Sequence, residues 1–71
     1  MKVTFKTDGY DKMVICNGAE TKLLISKSSY GSYVVYHNEE KLKEVYYLED
    51  AKELVKKLLE LGIGRDYAKE R

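Results

Sequence analysis

The sequence predicts an α+β domain: a four- or five-stranded antiparallel sheet packed by one C-terminal amphipathic helix. Three observations predict it. Turn signals break the first two-thirds of the chain into short runs rich in β-branched and aromatic residues. Residues 51–62 follow the 3,4 spacing of one helix face. The whole chain is 71 residues long, room for a single domain and a single core. In this reading residues 1–48 form the sheet, 50–61 the helix, and 65–71 a short helical turn or a frayed tail.

The first run, 2–7, alternates Val3 and Phe5 with Lys2, Thr4 and Lys6, the pattern of a half-buried strand. Asp8-Gly9 is a hairpin-type turn. The second run, 12–16, closes at Asn17-Gly18, and the third covers 21–27. For this hairpin a three-residue loop, Cys16-Asn17-Gly18, is expected. It would put Met13 and Ile15 on one face with Ala19, Thr21, Leu23 and Ile25, and set Gly18 at a left-handed bulge position. The loop Ser28-Ser29-Tyr30-Gly31 leads to a fourth run, 32–37. A polar loop around Asn38-Glu39-Glu40 leads to a fifth, 43–48.

The helix carries Ala51, Leu54, Val55, Leu58 and Leu59 on one face and Lys52, Glu53, Lys56, Lys57 and Glu60 on the other. Asp50 and Glu53 have capping-box spacing. Gly62 reads as the left-handed residue after the helix, with Ile63 folding back behind it.

Composition narrows the function classes. The chain is 44% hydrophobic and 35% charged with a net charge of +1, so it is not of disordered type and not a strongly basic nucleic-acid coat. Charge is patterned weakly: residues 1–36 carry a net +2, 37–54 a net −3 and 55–71 a net +2. One cysteine, Cys16, excludes an internal disulfide and suits a reducing compartment. The N-terminus alternates with charge and no apolar run reaches the roughly 20 residues of a membrane span, so a cytoplasmic protein without a membrane partner is expected. Abundant Lys and Glu with no Gln and only two Asn is a thermophile-like bias.

The fourth and fifth runs pose the main question. Tyr33-Val34-Val35-Tyr36 and Val45-Tyr46-Tyr47-Leu48 are apolar on both faces, yet one helix covers only one face of a sheet. Four arrangements answer it. The tyrosines face water with their hydroxyls wet; the sheet closes into a small SH3-like barrel; a homodimer buries the second face; or that face binds a ligand. In the expected register Lys12 and Lys22 point away from the helix, and Lys2 and Lys6 do too if Val3 and Phe5 point in. Lysines beside tyrosines suit nucleic acid, ammonium groups for phosphates and rings for bases, although lysines on edge strands also protect against aggregation.

Catalytic chemistry finds little support. His37 and Cys16 are the only residues of their kinds and lie on different runs. His37, Glu39 and Glu40 lack the spacing of a closed zinc site. Asp8 and Asp11 flank a turn, where aspartates serve the backbone. Gly62-Ile63-Gly64 follows a helix instead of preceding one, so it is a helix end and not a phosphate loop. Ser28, Ser29 and Tyr30 are a surface loop. No enzyme activity, cofactor, metal or small-molecule substrate is expected.

Two stretches resemble the small Sul7-type chromatin proteins of thermophilic archaea. Met1-Lys2-Val3-Thr4-Phe5-Lys6 is similar to their alternating first strand, and Glu49-Asp50-Ala51-Lys52-Glu53-Leu54-Val55 to the start of their C-terminal helix. The resemblance implies an SH3-like barrel and binding in the DNA minor groove. The chain is far less basic than that family and has no Trp to match its stacking residue, so no binding residue carries over. Residues 33–61 also resemble, in fold only, the arm-binding domains of tyrosine recombinases.

The expected function is a small non-enzymatic interaction module. It would associate with itself or with another protein through the Tyr/Val face of Tyr33, Tyr36, Tyr46 and Tyr47. The alternative is a nucleic-acid-binding module that uses Lys2, Lys6, Lys12 and Lys22 with those tyrosines.

Overall fold

The computed structural model describes residues 2–64. Five strands, β1 (Val3–Asp8), β2 (Asp11–Cys16), β3 (Ala19–Lys27), β4 (Tyr33–His37) and β5 (Glu40–Val45), precede one helix, α1 (Leu48–Glu60). Each strand pairs antiparallel with the next, so the sheet order is β1-β2-β3-β4-β5. The sheet stays open: β1 and β5 are its two edges, and the SH3-like barrel considered from the sequence does not form. No described helix is long and apolar enough to cross a membrane. The expected turn at 65–71, with Tyr67, lies outside the described residues.

The helix lies on one face of the sheet. Val14, Cys16, Leu23, Ile25 and Val35 meet Ala51, Val55 and Leu59, all buried, with Val3, Phe5, Tyr33, Val45, Leu48, Leu54 and Leu58 around them. Each buried Leu, Ile or Val side chain contributes about 1.5–3 kcal/mol. At the β1 side Lys52 reaches over the Phe5 ring, its Nζ 5.1 Å from the centroid. The lysine stem shields the ring while its charge stays wet.

The β2–β3 hairpin departs from expectation. Cys16 pairs with Ala19, so the loop is the two residues Asn17 and Gly18, at φ 53° and 85°. Positive φ at both positions is the type I′ geometry that Asn-Gly prefers. The buried pair in β2 is therefore Val14 and Cys16, while Met13 and Ile15 turn to the other face, half-buried. Residues 13–16 are apolar on both faces, so alternation alone did not choose between them. A bulge completes the register: three residues of β3, 21–23, sit opposite Val14 between the Met13–Leu24 and Ile15–Glu20 pairs. Thr21 makes the bulge affordable. Its Oγ1 donates to the Val14 carbonyl (2.8 Å) and accepts from the Leu23 amide (3.1 Å), so backbone groups the ladder loses are still bonded.

The end of the sheet also differs. His37 pairs with Glu40 across a two-residue turn, Asn38-Glu39, at φ 54° and 72°. This tight return starts the fifth strand at residue 40 instead of 43. Tyr46 and Tyr47 consequently fall in the bend before the helix, not in the strand. The helix begins at Leu48, with Tyr47 as its N-cap in extended conformation and no side-chain cap, so the Asp50–Glu53 capping box is not formed. The Tyr47 carbonyl instead accepts from the Asp50 and Ala51 amides at 3.1 and 3.2 Å. Glu49 and Asp50 occupy the first turn, where negative charge is favoured by the helix dipole.

The other helix end follows the sequence expectation. Gly62, at φ 89°, donates to the Leu59 carbonyl (3.0 Å) and Ile63 to the Leu58 carbonyl (2.8 Å). That bond pair is a Schellman motif. The chain then returns to the sheet, where the Gly64 carbonyl accepts from the Lys22 amide at 3.3 Å.

Candidate interaction surfaces

The face of the sheet opposite the helix carries the residues that the core excluded. Its order follows from the strand register. Lys6 pairs with Met13, Met13 with Leu24, Leu24 with Tyr36 and Tyr36 with Lys41, a row across all five strands. The next row on the same face runs Asp8, Asp11, Ser26, Val34, Glu44. Ile15 extends the apolar centre on β2, opposite Thr4 and Glu20. The middle of this face is therefore Met13, Ile15, Leu24, Val34 and Tyr36, all buried or half-buried among their neighbours. Among the described residues no element packs over it, because α1 packs on the opposite face.

A second irregularity shapes its rim. Val35 pairs with Lys43 and Tyr36 with Lys41, so Leu42 is an extra residue in β5. The bulge brings Lys41 and Glu44 to one face, three residues apart, with Lys41 Nζ 3.6 Å from Glu44 Oε1. Glu44 also accepts the hydroxyl of Ser32, which is almost fully buried. Ser32 Oγ lies 2.7 Å from Ser28 Oγ, and that oxygen receives the amides of Tyr30 and Ser32, each at 3.2 Å. Since Ser32 donates to the carboxylate, Ser28 donates to Ser32. The Ser32 hydroxyl bond, with Lys41 nearby, holds the Glu44 carboxyl below the ordinary carboxylate range against a partial loss of hydration. The arrangement locks the 28–32 loop.

The sequence candidates divide between several surfaces. Lys6 and Lys22 belong to the open face, Lys22 beside Met13, Leu24 and Tyr36 in a shallow depression. Lys2 precedes β1 in the same alternation, and its amide donates to Asn17 Oδ1 at 3.0 Å. Lys12 does not point away from the helix: it pairs with Ile25 on the helix side, where its Nζ donates to Thr7 Oγ1 at 3.0 Å. This follows from the reversed face of β2. Tyr33 is likewise on the helix side, half-buried against the core, while Tyr36 is on the open side. Tyr46 and Tyr47 belong to neither face. The four tyrosines expected on one surface are thus separated.

Tyr46 and Tyr47 instead join a different group. Tyr10, Tyr30, Tyr46 and Tyr47 are 80%, 93%, 77% and 71% exposed. All four lie at one end of the sheet, because in a meander the β1–β2 turn, the β3–β4 loop and the β5–α1 bend share that end. Lys27 bonds the Tyr10 carbonyl through its amide (2.9 Å), which ties the first two together. Sequence reading missed this group, and it missed Met13, Ile15, Leu24 and Lys41 on the open face. The signal for the first was the meander's odd-numbered connections. The signal for the second was the two-sided apolar character of residues 13–16.

Titratable and metal-binding chemistry is sparse. Cys16 is buried in the core. His37 faces the helix side opposite Leu23, and its buried Nε2 has no hydrogen-bond partner among the described residues. Among the described residues no three His, Cys, Asp or Glu side chains group as metal ligands. Comparison with protein-family models, curated proteins and solved structures returns no match for this chain.

Proposed function

We propose that the protein is a small non-enzymatic interaction module that binds a protein surface, its own or another's, through the open face of its sheet. One observation carries this reading: Met13, Ile15, Leu24, Val34 and Tyr36 converge from β2, β3 and β4 on the face that the helix does not cover. A strand meant only for water on that side would place polar residues there. Met, Tyr and branched aliphatics in the centre with charges at the edge are the anatomy of a protein interface. The tyrosines expected to carry the contact are replaced by this stripe, with Tyr36 alone retained.

Nucleic-acid binding is the second reading. Lys41 pairs beside Tyr36 on the open face, Lys22 shares its depression and Lys6 ends the same row at the far edge, which favours it. Asp8, Asp11 and Glu44 share that face and repel phosphate, which places it second.

The test compares two double variants as baits in extract from the source cells. Leu24→Lys with Tyr36→Lys alters the open face, and Lys56→Glu with Lys57→Glu alters the solvent side of the helix. The reading expects a partner retained by wild type and the helix variant and lost by the sheet variant. The reverse pattern refutes it. Fluorescence anisotropy with duplex and single-stranded DNA checks the second reading, which requires binding that falls steeply with salt.

A further inference from the structure

We propose that the open face is covered by a second copy of this chain, packed face to face about a two-fold axis that runs across the strands between the two rows described above. The inference rests on the interaction-module reading and adds the partner and the geometry.

The charges on the face choose both. One row ends in Lys6 on β1 and Lys41 on β5, and the adjacent row ends in Asp8 on β1 and Glu44 on β5. In a two-fold interface every contact occurs twice with the roles exchanged, so the face must complement itself. An axis along the strands fails this requirement. It sets each row on its own reverse, Lys6 over Lys41 of the second copy and Asp8 over Glu44. An axis across the strands sets each row on the other. Lys6 then meets Asp8 and Lys41 meets Glu44 at both edges, in both copies. Between the edges Tyr36 lies over Val34, Leu24 over Ser26 and Met13 over Asp11 of the second copy, with Asp11 one strand from the facing Lys6. Two sheets stacked this way lie about 10 Å apart with their strands nearly aligned, the ordinary geometry of sheet packing.

Size sets the expected strength. Five strands about 4.8 Å apart and some six residues long give a face on the order of 500 Å² per copy. The two copies together would bury about 1,000 Å², just below the roughly 1,200–2,000 Å² of standard interfaces. A weak, rapidly exchanging dimer is expected for so small a contact.

Sedimentation across about 5–500 µM tests the proposal, with circular dichroism confirming that each variant is folded. Wild type is expected to show a reversible monomer–dimer equilibrium. Lys6→Glu with Lys41→Glu, and separately Asp8→Lys with Glu44→Lys, should each weaken it at least tenfold by setting like charges against each other. An equal mixture of the two variants should dimerise again, to within about threefold of wild type. The single pair Lys6→Glu and Asp8→Lys repeats this complementation without touching the Ser32–Glu44 bond, should the double variants be unfolded. A wild type that stays monomeric throughout overturns the proposal but leaves a foreign protein partner for the same face. A dimer whose hydrogen-exchange protection falls on the solvent side of α1 overturns the proposal and the interaction-face reading together. A dimer protected on the open face but not restored by mixing overturns the two-fold arrangement alone.

Discussion

Ser32 reaches from the start of β4 to the Glu44 carboxylate on β5, giving its buried hydroxyl to a group that also faces Lys41. The bond joins the 28–32 loop, the last strand pair and the rim of the open face. It also makes the stability of this small fold depend on acid. The folded-state pKa of Glu44 is lowered, so its contribution is fully present above the unfolded value near 4.5. That contribution fades as pH falls through the lowered folded value. Urea melts are therefore expected to show stability dropping below pH 4.5, and Glu44→Gln should flatten that part of the profile. Identical acid profiles for wild type and Glu44→Gln would contradict the assignment.

Glu39 occupies a left-handed conformation, φ 72°, at the second position of a type I′-like turn. A side chain there costs about 1–2 kcal/mol, and glycine relieves it. The added freedom of glycine in the unfolded chain returns roughly 0.5–1 kcal/mol of that gain. Glu39→Gly should thus stabilise the protein by about 0.5–1 kcal/mol, read as a rise of a few degrees in Tm. Asn38 already suits the first position.

Gly64 is held against β3, and a Cβ built on it would lie 2.8 Å from Leu23 Cγ and 3.0 Å from Cδ1. Gly31 has nearly the same φ, 89° against 88°, but open space around it. Gly31→Ala should cost about 1 kcal/mol from backbone strain alone. Gly64→Ala should cost about 1–3 kcal/mol more, because it also overpacks Leu23. Paired denaturation curves measure the difference, and equal losses would mean the 62–64 segment does not dock as described.

Adjacent residues on β3 test the assignment of faces. Ile25 is buried under α1, whereas Leu24 is half-buried on the uncovered side. Ile25→Ala should cost about 2–5 kcal/mol, enough to unfold a domain of this size. Leu24→Ala should cost about 1 kcal/mol or less, since little cavity forms at an open surface. The same contrast separates Val14→Ala from Met13→Ala. Comparable losses on both faces would show that something other than the described helix covers the second one.

Much of the fold is legible because it is local. Asn17-Gly18 and the 28–31 loop mark their connections, since left-handed backbone favours Gly and Asn, whereas the first turn is Gly9-Tyr10 and not Asp8-Gly9, because Asp8 still pairs with Asp11 at the end of β1. The 3,4 pattern of Ala51, Val55 and Leu59 identifies the buried helix face, and Gly62 marks its end. The helix start was not legible: Asp50 and Glu53 have the right spacing for a cap, but the chain enters helix earlier, at Leu48, as soon as the bend at 46–47 is complete.

The candidate site was less legible than the fold. Lys6 and Lys22 fall on the open face as expected from the alternation of their strands. The four tyrosines do not share one surface, because Tyr33 and Tyr36, three apart on β4, face opposite ways. Lys12 and Lys41 depend on which face of β2 meets the helix and on a bulge. Bulges are set by pairing between strands, and Leu42 gives no sign in its own neighbourhood of being an extra residue.

By itself the sequence determines an α+β meander with one C-terminal helix, because turn chemistry and hydrophobic period act over a few residues. Only the tertiary structure decided that Val14 and Cys16 face inward and Met13 and Ile15 outward. Residues 13–16 are apolar on both sides, so the choice falls to the Asn-Gly turn, the Thr21 bulge and the packing of Leu23 and Ile25 under α1. The strand alternation of β4 puts Tyr33 and Tyr36 on opposite faces, the tight Asn38-Glu39 return sends Tyr46 and Tyr47 to the loop end, and the pairing leaves two oppositely charged rows side by side on the uncovered face.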